Sequence, residues 1–281
     1  MSAPKVHGGA APATYAFDQL AAEYDALAAG EIFQLMRRRT HAAFGRYVAT
    51  GSRVIEIGCG TGLDTVVLAR RAAAVVACDP SEAMASKALR RVSHAGLESR
   101  ATILPCGLQD LAAFLDALST PGAFDAIVSN FGALNCVEHL APLGALIRKY
   151  LRPDGHVLLG LMGRTCAVET LYFAATRRTH LASRRRGAGP VPVPVAGVPV
   201  PTFYHRIREV RAALGPGVRL RHVEGIGVAL PPPYLEPRWQ KLPKPVRGMV
   251  TALDGLLAPW PPFNRAGDHV LLHFVKRAAH A

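Results

Sequence analysis

The sequence predicts a doubly wound α/β fold, in which a mostly parallel sheet carries helices on both faces. Three observations support this prediction: strand-like apolar runs alternate with helical stretches, the first run breaks into closely spaced glycines, and half of the 281 residues are hydrophobic. Alternating strands and helices require parallel pairing through right-handed crossovers. A chain of this length and composition can bury one large core, or one core with a small cap.

The N-terminal part is predicted to hold a tail and two helices. Residues 1–14 are small, proline-bearing and aperiodic, which is typical of a disordered tail. From Tyr15 onwards apolar side chains recur at helical spacing, so two cap helices are expected within residues 15–50. The first residues lack the apolar core of a secretory signal, and no apolar stretch has the length of a membrane span. We therefore expect a cytoplasmic protein with no membrane span.

Five strands and their helices follow. The strands are predicted at residues 53–57, 74–78, 101–105, 124–129 and 156–161. Helices are predicted to begin near residues 63, 81 and 109, and a further helix is predicted over 137–150. The apolar runs are continuous rather than alternating, which indicates strands that are buried on both faces.

Two segments after the fifth strand interrupt this regularity. Residues 163–214 contain a helical stretch, 166–182, and then a basic Pro-Val-rich stretch, 184–201. The Pro-Val stretch cannot be a central strand, because proline has no N–H to donate to the ladder. Residues 231–267 hold three consecutive prolines and then helical signals around 246–257. Both segments are interpreted as inserts above the ligand-binding side of the sheet.

The glycines after the first strand predict a ligand cradle. Glycine lacks a Cβ, so the backbone of such a turn can approach a ligand closely. The helix near Leu63 would direct its N–H groups and its positive dipole end towards a carboxylate or a phosphate. Asp79 ends the next apolar run and would meet two ribose hydroxyls. An ordinary strand-to-helix turn, with Asp79 capping the following helix, is the alternative without a ligand. The segment reads Val54-Ile55-Glu56-Ile57-Gly58-Cys59-Gly60-Thr61-Gly62.

The spacing of the glycines separates two classes of cofactor. A dinucleotide fingerprint places its third glycine, or an alanine, three residues after the second, where this chain has Leu63. The third glycine here is Gly62, and Glu56 lies two residues before the turn. A nicotinamide-dependent dehydrogenase is therefore disfavoured.

The Gly-x-Gly-x-Gly spacing resembles motif I of the class I S-adenosylmethionine-dependent methyltransferases of the small-molecule type. The resemblance continues at Asp79-Pro80-Ser81-Glu82-Ala83-Met84, at Phe124-Asp125-Ala126-Ile127-Val128-Ser129-Asn130-Phe131-Gly132 and at Leu151-Arg152-Pro153-Asp154-Gly155-His156-Val157-Leu158-Leu159. It implies a Rossmann-like, seven-stranded, mostly parallel sheet with an antiparallel last strand, closed by residues 218–230 and 269–276. The methyltransferase core would then comprise residues 51–162, 215–230 and 268–277, and residues 163–214 and 231–267 would form the lids of the methyl-acceptor site.

The resemblance also implies S-adenosyl-L-methionine as the cofactor. In the family the glycine turn approaches the methionyl part, the acid ending the second strand binds the ribose, and the residue at Met84 packs on adenine. The stretch 17–25 resembles the opening of many small-molecule methyltransferases, including the ubiquinone-biosynthesis type, in which its tyrosine lies near the methionine moiety. The predicted cofactor-binding residues are Tyr24, Glu56, Gly58, Cys59, Gly60, Gly62, Asp79, Pro80, Met84, Leu108, Asn130 and Phe131. Glu56 could instead anchor the glycine loop, and the partner of the adenine amine stays open between Gln109 and Asp110.

Catalysis by this family is mainly a matter of alignment, which can contribute about 7 to 11 kcal/mol to lowering a barrier. A base is needed only for a methyl acceptor of high pKa, and histidine suits that role near neutral pH. The predicted catalytic residues are His205, Tyr204 and Asn130. Asp268-His269, Glu169 and Tyr172 are further candidates, each with a purely structural alternative.

Two rival chemistries lack their motifs. Enzymes that methylate exocyclic amines of nucleic acids usually carry two prolines and an aromatic residue after the position of Asn130, and this chain has none of those prolines. Thr165-Cys166 resembles the site of the RNA cytosine C5 enzymes, but the expected Pro-Cys after the fourth strand is missing. Cys166 is therefore interpreted as a small buried hydrophobe. The five cysteines include no Cys-x-x-Cys pair, so free thiols and no metal site are expected.

The formal net charge of +13 invites a nucleic-acid interpretation. The basic runs at 37–39, 177–178 and 184–186 are interpreted first as solvated helix faces, then as a funnel for an anionic substrate or a groove for RNA. The predicted function is transfer of a methyl group to oxygen or nitrogen of a small metabolite by a monomer or weak homodimer, with nucleic acid disfavoured as a partner. An RNA methyltransferase and a catalytically silent S-adenosylmethionine-binding partner protein are the alternatives.

Overall fold

The structure, a computed structural model, describes residues 11–187 and 189–278. The strands are β1 (Arg53–Ile57), β2 (Ala74–Cys78), β3 (Ala101–Leu104), β4 (Phe124–Ser129), β5 (Leu151–Met162), β6 (Val191–Val195), β7 (Val198–Thr202), β8 (Val218–Ile226) and β9 (His269–Lys276). The helices are α1 (Ala11–Leu20), α2 (Tyr24–Ala28), α3 (Glu31–Tyr47), α4 (Leu63–Ala69), α5 (Glu82–His94), α6 (Leu111–Leu118), α7 (Ala141–Tyr150), α8 (Ala167–Ala175), α9 (Thr179–Ala182), α10 (Ile207–Leu214), α11 (Glu236–Trp239) and α12 (Lys244–Leu257). Short 3-10 turns lie at Ala133–Cys136, Arg184–Arg186, Pro233–Leu235 and Phe263–Arg265.

Seven strands form one sheet in the order β3-β2-β1-β4-β5-β9-β8. The pairs from β3 to β5 are parallel, and β9 runs antiparallel to both β5 and β8. The prediction of a doubly wound, seven-stranded sheet with an antiparallel last strand is confirmed. The carboxyl ends of β1, β2 and β4 therefore meet at one edge, which is where ligands bind in open sheets of this kind.

The central strands are almost entirely buried because helices cover both faces of the sheet. Along β1, Val54 packs on the face covered by α3, α4 and α5, whereas Ile55 packs on the face covered by α6 and α7. Neighbouring residues of a strand point to opposite faces, so a strand buried on both sides needs an unbroken apolar run. The continuous runs in the sequence have this physical cause.

The last part of the predicted N-terminal tail is helical. Helix α1 begins at Ala11, so residues 11–14 belong to a helix, and residues 1–10 of the predicted tail lie outside the described residues. Pro12 made this stretch resemble a tail. Proline is nevertheless tolerated in the first turn of a helix, where its missing N–H has no partner to lose.

The Pro-Val-rich stretch pairs with itself, outside the main sheet. Strands β6 and β7 form a two-stranded hairpin in which Pro192 lies opposite Pro201 and Pro194 opposite Pro199. Antiparallel pairs alternate between hydrogen-bonded and non-hydrogen-bonded, so prolines two residues apart can all occupy the positions that need no donor. The stretch is therefore a strand pair, although not a central one.

Other boundaries differ from the sequence prediction by a few residues. The predicted helix at 137–150 begins only at Ala141, as α7, and the predicted helix at 166–182 is divided into α8 and α9. Strand β8 ends at Ile226, before the predicted end at Leu230. Within the described parts of the chain, no helix combines the length and the apolarity that crossing a membrane requires.

Candidate functional site

The glycine loop after β1 has a backbone that only glycine adopts easily. Gly58, Gly60 and Gly62 have φ angles of 73°, 55° and 82°. A Cβ at Gly58 would lie 2.2 Å from the Ala133 Cβ, and one at Gly62 would lie 2.9 Å from the Ala88 Cα. A Cβ at Gly60 would meet no atom within 4 Å. Packing therefore explains two of the glycines, while Gly60 faces open space, as the contact point of a cradle requires.

Asp79 connects β2 to the glycine loop. Its Oδ2 accepts a hydrogen bond from the Gly60 N–H (2.8 Å), and its Oδ1 accepts one from the Ser81 N–H (3.0 Å). Burial raises the pKa of Asp79 to about 6. The cap of α5 is Ser81, whose Oγ accepts from the Met84 N–H at 3.1 Å. Asp79 thus holds the loop and keeps spare lone pairs, so it can also accept from hydroxyl groups.

Glu56 is a buried carboxyl group with unused hydrogen-bonding capacity. Its side chain is on β1, 3% exposed, and its Oε2 has no hydrogen-bond partner among the described residues. Burial, followed by the charge of Asp64, raises the pKa of Glu56 to about 8. A buried acceptor without a partner is costly. A cationic group of a ligand would satisfy this oxygen, so the site fits the ammonium of an amino-acid moiety.

A buried polar cluster, defined by Arg37, Thr40, His41, Asp64 and Asn130, lies beside the loop. Arg37 pairs with Asp64 Oδ1, and His41 Nε2 lies 2.7 Å from the same oxygen. Asn130 donates to Asp64 Oδ2 (2.8 Å) and to Thr40 Oγ1 (3.1 Å). Burial alone would raise the pKa of Asp64, but Arg37, His41 and Asn130 together lower it below its usual value. The cluster joins α3, α4 and the end of β4.

The sequence interpretation missed this cluster. The run 37–39 was expected to be a solvated helix face, which is wrong for Arg37 because its side chain is only 6% exposed. The only signal in the sequence that Arg37 is buried is weak: it lies next to Met36, on the apolar side of α3. Its partner Asp64 is 27 residues away, so no local sequence pattern predicts the pair.

Helices α1 and α2 cover the loop through two aspartates of the stretch 17–25. Asp18 Oδ1 accepts from Ser81 Oγ (2.5 Å) and from the Ala83 N–H (3.1 Å), and so attaches α1 to the start of α5. Asp25 accepts from Thr61 Oγ1 (2.6 Å) and pairs with Arg91. These bonds hold the N-terminal helices above the cradle.

Tyr24 lies at the start of α2, near the same loop. Burial is the largest cause of the raised pKa of its hydroxyl, and the charges of Arg37, Asp64 and Asp79 also act on it. The predicted contacts Met84 and Leu108 are buried, and so is Cys59, whose thiol pKa is raised by burial. Pro80 and Gln109 are exposed, and Asp110 is half-buried. The structure therefore brings Tyr24 and Asp79 to the loop and leaves the adenine partner undecided.

Phe131 has a strained backbone directly after Asn130. Its φ of 47° lies in the left-handed region, which is uncommon for an aromatic residue. Its ring stacks on Phe33 (centroids 4.6 Å apart) and faces the edge of the His269 ring (5.5 Å). The Arg37 guanidinium lies 4.4 Å from the Phe131 centroid. Backbone strain of this kind is often found at ligand sites.

A second buried ionic group lies next to His269. Arg185 pairs with Glu169 and with Asp268 Oδ1 (2.6 Å), and Asp268 Oδ2 lies 3.0 Å from His269 Nδ1. Burial would raise the pKa of Asp268, but Arg185 and His269 lower it far below its usual value. The solvated-face interpretation of the run 184–186 is therefore wrong for Arg185.

Cys166, Glu169 and Asp268 lie close enough together to hold a metal ion. Arg185 already balances the charge of both carboxylates, and burial raises the pKa of the Cys166 thiol to about 12. A metal ligand must be a thiolate, so this group is a structural ion pair. All five cysteines are free thiols, as predicted.

The three predicted catalytic residues are not brought together. Asn130 belongs to the buried polar cluster. Tyr204 and His205 follow β7, within the insert 163–214. His205 Nε2 is 2.9 Å from the Val137 carbonyl oxygen. Tyr204 is buried, and its ring centroid is 5.4 Å from the Arg185 guanidinium carbon. His269 begins β9, and its ring centroid lies 5.5 Å from that of Phe131.

Known proteins resemble this chain in sequence and in fold. Residues 54–155 match the sequence model of a family described as a methyltransferase domain. Demethylmenaquinone methyltransferase of Mycobacterium sp. (strain KMS) is 34% identical over 147 residues, which are 51% of this chain and 56% of that protein. Ubiquinone biosynthesis O-methyltransferase of Xanthomonas campestris pv. campestris (strain B100) is 31% identical over 131 residues, 45% of this chain and 49% of that protein. The chain thus spans about half the length of the curated relatives it matches.

Solved structures share the fold over most of the chain. An S-adenosylmethionine-dependent methyltransferase from Mesorhizobium loti aligns with a TM-score of 0.55 at 19% identity, covering 89% of this chain and all of that one (100%). The [4+2]-cyclase SpnF aligns with a TM-score of 0.64 at 17% identity, covering 99% of this chain and 100% of that one. At these identities the likeness establishes the fold and does not extend to the reaction.

Proposed function

We propose that this chain is a class I S-adenosylmethionine-dependent methyltransferase that transfers a methyl group from S-adenosyl-L-methionine to a small-molecule acceptor. One observation carries the proposal. Gly60 is open on its Cβ side and donates its N–H over 2.8 Å to Asp79, a carboxylate at the end of the neighbouring strand. This arrangement offers close backbone approach and a hydroxyl-binding acid at the same sheet edge.

The described residues divide into groups that fit the parts of the cofactor. Glu56 has an unpaired buried oxygen and Arg37 an unpaired buried Nε, so they suit the ammonium and the carboxylate of an amino-acid end. Asp79 suits the ribose hydroxyls, and the buried Met84 and Leu108 suit the adenine ring. When bound, the cofactor supplies a methyl group on a sulfonium, which is already activated for displacement. The protein then needs to align the two reactants and exclude water.

Phe33, Phe131 and His269 form the wall that we assign to the methyl acceptor. Two stacked aromatic rings favour an aromatic or otherwise apolar molecule. His269 lies beside Phe131 with its Nδ1 3.0 Å from Asp268 Oδ2, so we assign its imidazole as the candidate base for an acceptor hydroxyl. Oxygen as the acceptor atom is supported by the relative that is named an O-methyltransferase. His205 and Tyr204 remain candidates from the sequence.

The first test is titration calorimetry with S-adenosylmethionine and its demethylated product. We expect binding of both, and a folded protein that binds neither would contradict the proposal. The second test is transfer of a labelled methyl group to fractions of a small-metabolite extract. Binding without transfer to any fraction would favour a catalytically silent S-adenosylmethionine-binding protein, since a fold does not fix a reaction.

The net charge of +13 supports an RNA methyltransferase as the second candidate. That candidate predicts an affinity for RNA that falls steeply with salt, because binding to phosphates releases counterions. A mobility-shift assay with RNA at two salt concentrations tests this candidate. A shift that weakens with salt favours an RNA methyltransferase, and an absent or salt-indifferent shift argues against one. A cytoplasmic location and a monomer or weak homodimer stay predictions.

A further inference from the structure

Helix α12 exposes an apolar face to solvent. Met249, Leu253 and Leu256 are 66%, 46% and 66% exposed, and their spacing of four and three residues places them on one side of the helix. The charged residues of α12 beyond its first residue, Arg247 and Asp254, face inward. Arg247 pairs with Glu31, while Asp254 is 2% exposed. Val250 packs against the core, so α12 is apolar on its outward side as well, whereas a surface helix usually directs polar residues to solvent.

The exposed apolar side chains continue beyond both ends of α12. Six of the twelve large hydrophobic side chains that are exposed in the described chain fall within residues 242–263. We call these six the apolar platform: Leu242, Met249, Leu253, Leu256, Trp260 and Phe263. Single exposed apolar residues are common on protein surfaces, but concentration in one segment indicates a binding surface.

The exposed charges of the insert 231–267 have one sign. Exposed basic side chains flank the platform along the chain at Arg238, Lys241, Lys244 and Arg265. The insert 231–267 contains two acidic residues, and both are engaged inward: Glu236 accepts from the N–H groups at the start of α3, and Asp254 pairs with Arg39. The platform is therefore an apolar surface with a basic rim.

We propose that the apolar platform docks on the surface of an anionic lipid bilayer, with α12 lying in the plane of the interface. Apolar and aromatic side chains enter the boundary between headgroups and acyl chains, and basic side chains beside them are attracted to anionic lipids. Trp260 is 64% exposed, and tryptophan favours this boundary because its ring is apolar and its N–H is polar.

A second copy of the chain fits the platform less well. A two-fold dimer places the same surface on both partners, so the basic rim of one copy would face the basic rim of the other. An anionic bilayer offers both an apolar layer and the opposite charge. The proposal does not depend on methyl transfer, and its test needs no substrate.

Tryptophan fluorescence gives a direct test. The chain has two tryptophans, and Trp239 is 2% exposed, so a change of polarity at the surface reports on Trp260. The probes are vesicles of phosphatidylcholine alone and of phosphatidylcholine with phosphatidylglycerol. We expect co-sedimentation, a blue shift and quenching by brominated acyl chains with the anionic vesicles, and weaker binding with the neutral vesicles and at high salt. The Trp260→Phe variant should lose the blue shift.

Charge variants identify the binding surface. The double variant Met249→Glu/Leu253→Glu should bind anionic vesicles at least about tenfold more weakly, because carboxylates are repelled by the headgroups. Leu118→Glu, at a leucine of α6 that is 49% exposed, is the matched control and should bind like the unaltered chain. Equal binding by the double variant, or no binding by the unaltered chain, overturns the proposal. A dimer in solution that the double variant dissolves, without vesicle binding, would assign the platform to a second copy.

Discussion

Asn130 Nδ2 donates a 2.8 Å hydrogen bond to Asp64 Oδ2 and so joins the end of β4 to the first turn of α4. Asn130 was predicted from its position to contact the cofactor or to act in catalysis. The structure gives it a partner that also pairs with Arg37 and contacts His41. The position of the strand end beside the glycine loop thus depends on a buried charge and on the groups that compensate it.

Arg37→Ala tests that dependence. Removing the arginine leaves the Asp64 carboxylate buried with less compensation, so the free energy of unfolding should fall by about 3 to 5 kcal/mol at pH 7. Urea denaturation measures the change. The matched control is Arg38→Ala, at the exposed neighbouring position, which should stay within about 0.5 kcal/mol. If both variants lose the same small amount, Arg37 and Asp64 do not form a stabilising pair.

The contrast between Arg37 and Asp79 indicates what sequence can reveal. Asp79 was singled out because a strand end and a following turn are local patterns that recur at fixed spacing, and it lies beside the glycine loop, while its binding of ribose stays a prediction. Arg37 and Arg185 were misinterpreted because their partners, Asp64 and Asp268, are distant in sequence. An arginine run carries no mark of which guanidinium turns inward, and the pairing is decided by packing.

Asp79→Asn tests the assignment of the ribose site. The amide keeps the size of the side chain but loses the charge and one acceptor, so affinity for S-adenosylmethionine should fall about ten- to a hundredfold, given about 1.5 to 3 kcal/mol for a charged hydrogen bond. Calorimetry measures the affinity, and a thermal melt confirms that the variant is folded. Unchanged affinity in a folded variant would refute the assignment.

The pKa of Asp79 adds a prediction about pH. Burial raises this pKa to about 6, and the proton must leave before both oxygens can accept. In a Glu56→Gln background, which lacks the carboxyl group with a pKa of about 8, affinity for the cofactor should be constant well above pH 6 and should fall by about tenfold at pH 5, one unit below the pKa of Asp79. Calorimetry between pH 5 and pH values above 6 measures whether affinity falls on acidification, as expected. Affinity that rises on acidification would show that Asp79 does not bind as a carboxylate.

Glu56→Gln should alter how stability depends on pH. Burial raises the pKa of Glu56 to about 8 in the folded chain, from the ordinary 4.5, so the unfolded chain releases this proton first. Stability that depends on Glu56 is then fully present below pH 4.5 and is lost as pH rises towards 8. At pH 8 the free energy of unfolding of the cofactor-free variant should exceed that of the unaltered chain by up to about 4 kcal/mol. At pH 4.5 the two free energies should differ little. Urea denaturation at both pH values measures this.

A matched control for Glu56 is available on α5. Glu82→Gln changes the same side chain at an exposed position and should produce no comparable divergence between the two pH values. If Glu56→Gln and Glu82→Gln behave alike, the Glu56 carboxyl group has a partner that keeps it charged in the folded chain.

The methyl-acceptor residues were the least predictable part of the site. Tyr204, His205 and Glu169 lie in the insert 163–214, outside the four motifs, so the sequence offers these candidates without any distance to the glycine loop. The structure separates them. Nε2 of His205 is already 2.9 Å from a backbone carbonyl oxygen, whereas His269 lies beside Asp268 and Phe131.

His269→Asn and His205→Asn distinguish the two candidate bases. If His269 takes the proton from the acceptor, His269→Asn should lower kcat by about a hundredfold or more, as expected for loss of a general base. Its affinity for S-adenosylmethionine should stay close to that of the unaltered chain, because His269 is not among the proposed cofactor contacts. His205→Asn should reduce kcat less, since its Nε2 serves the backbone of the 3-10 turn after β4. For both variants, kcat is measured as a function of pH with the methyl acceptor that the extract screen identifies. A larger loss for His205→Asn would assign the proton transfer to the insert after β7.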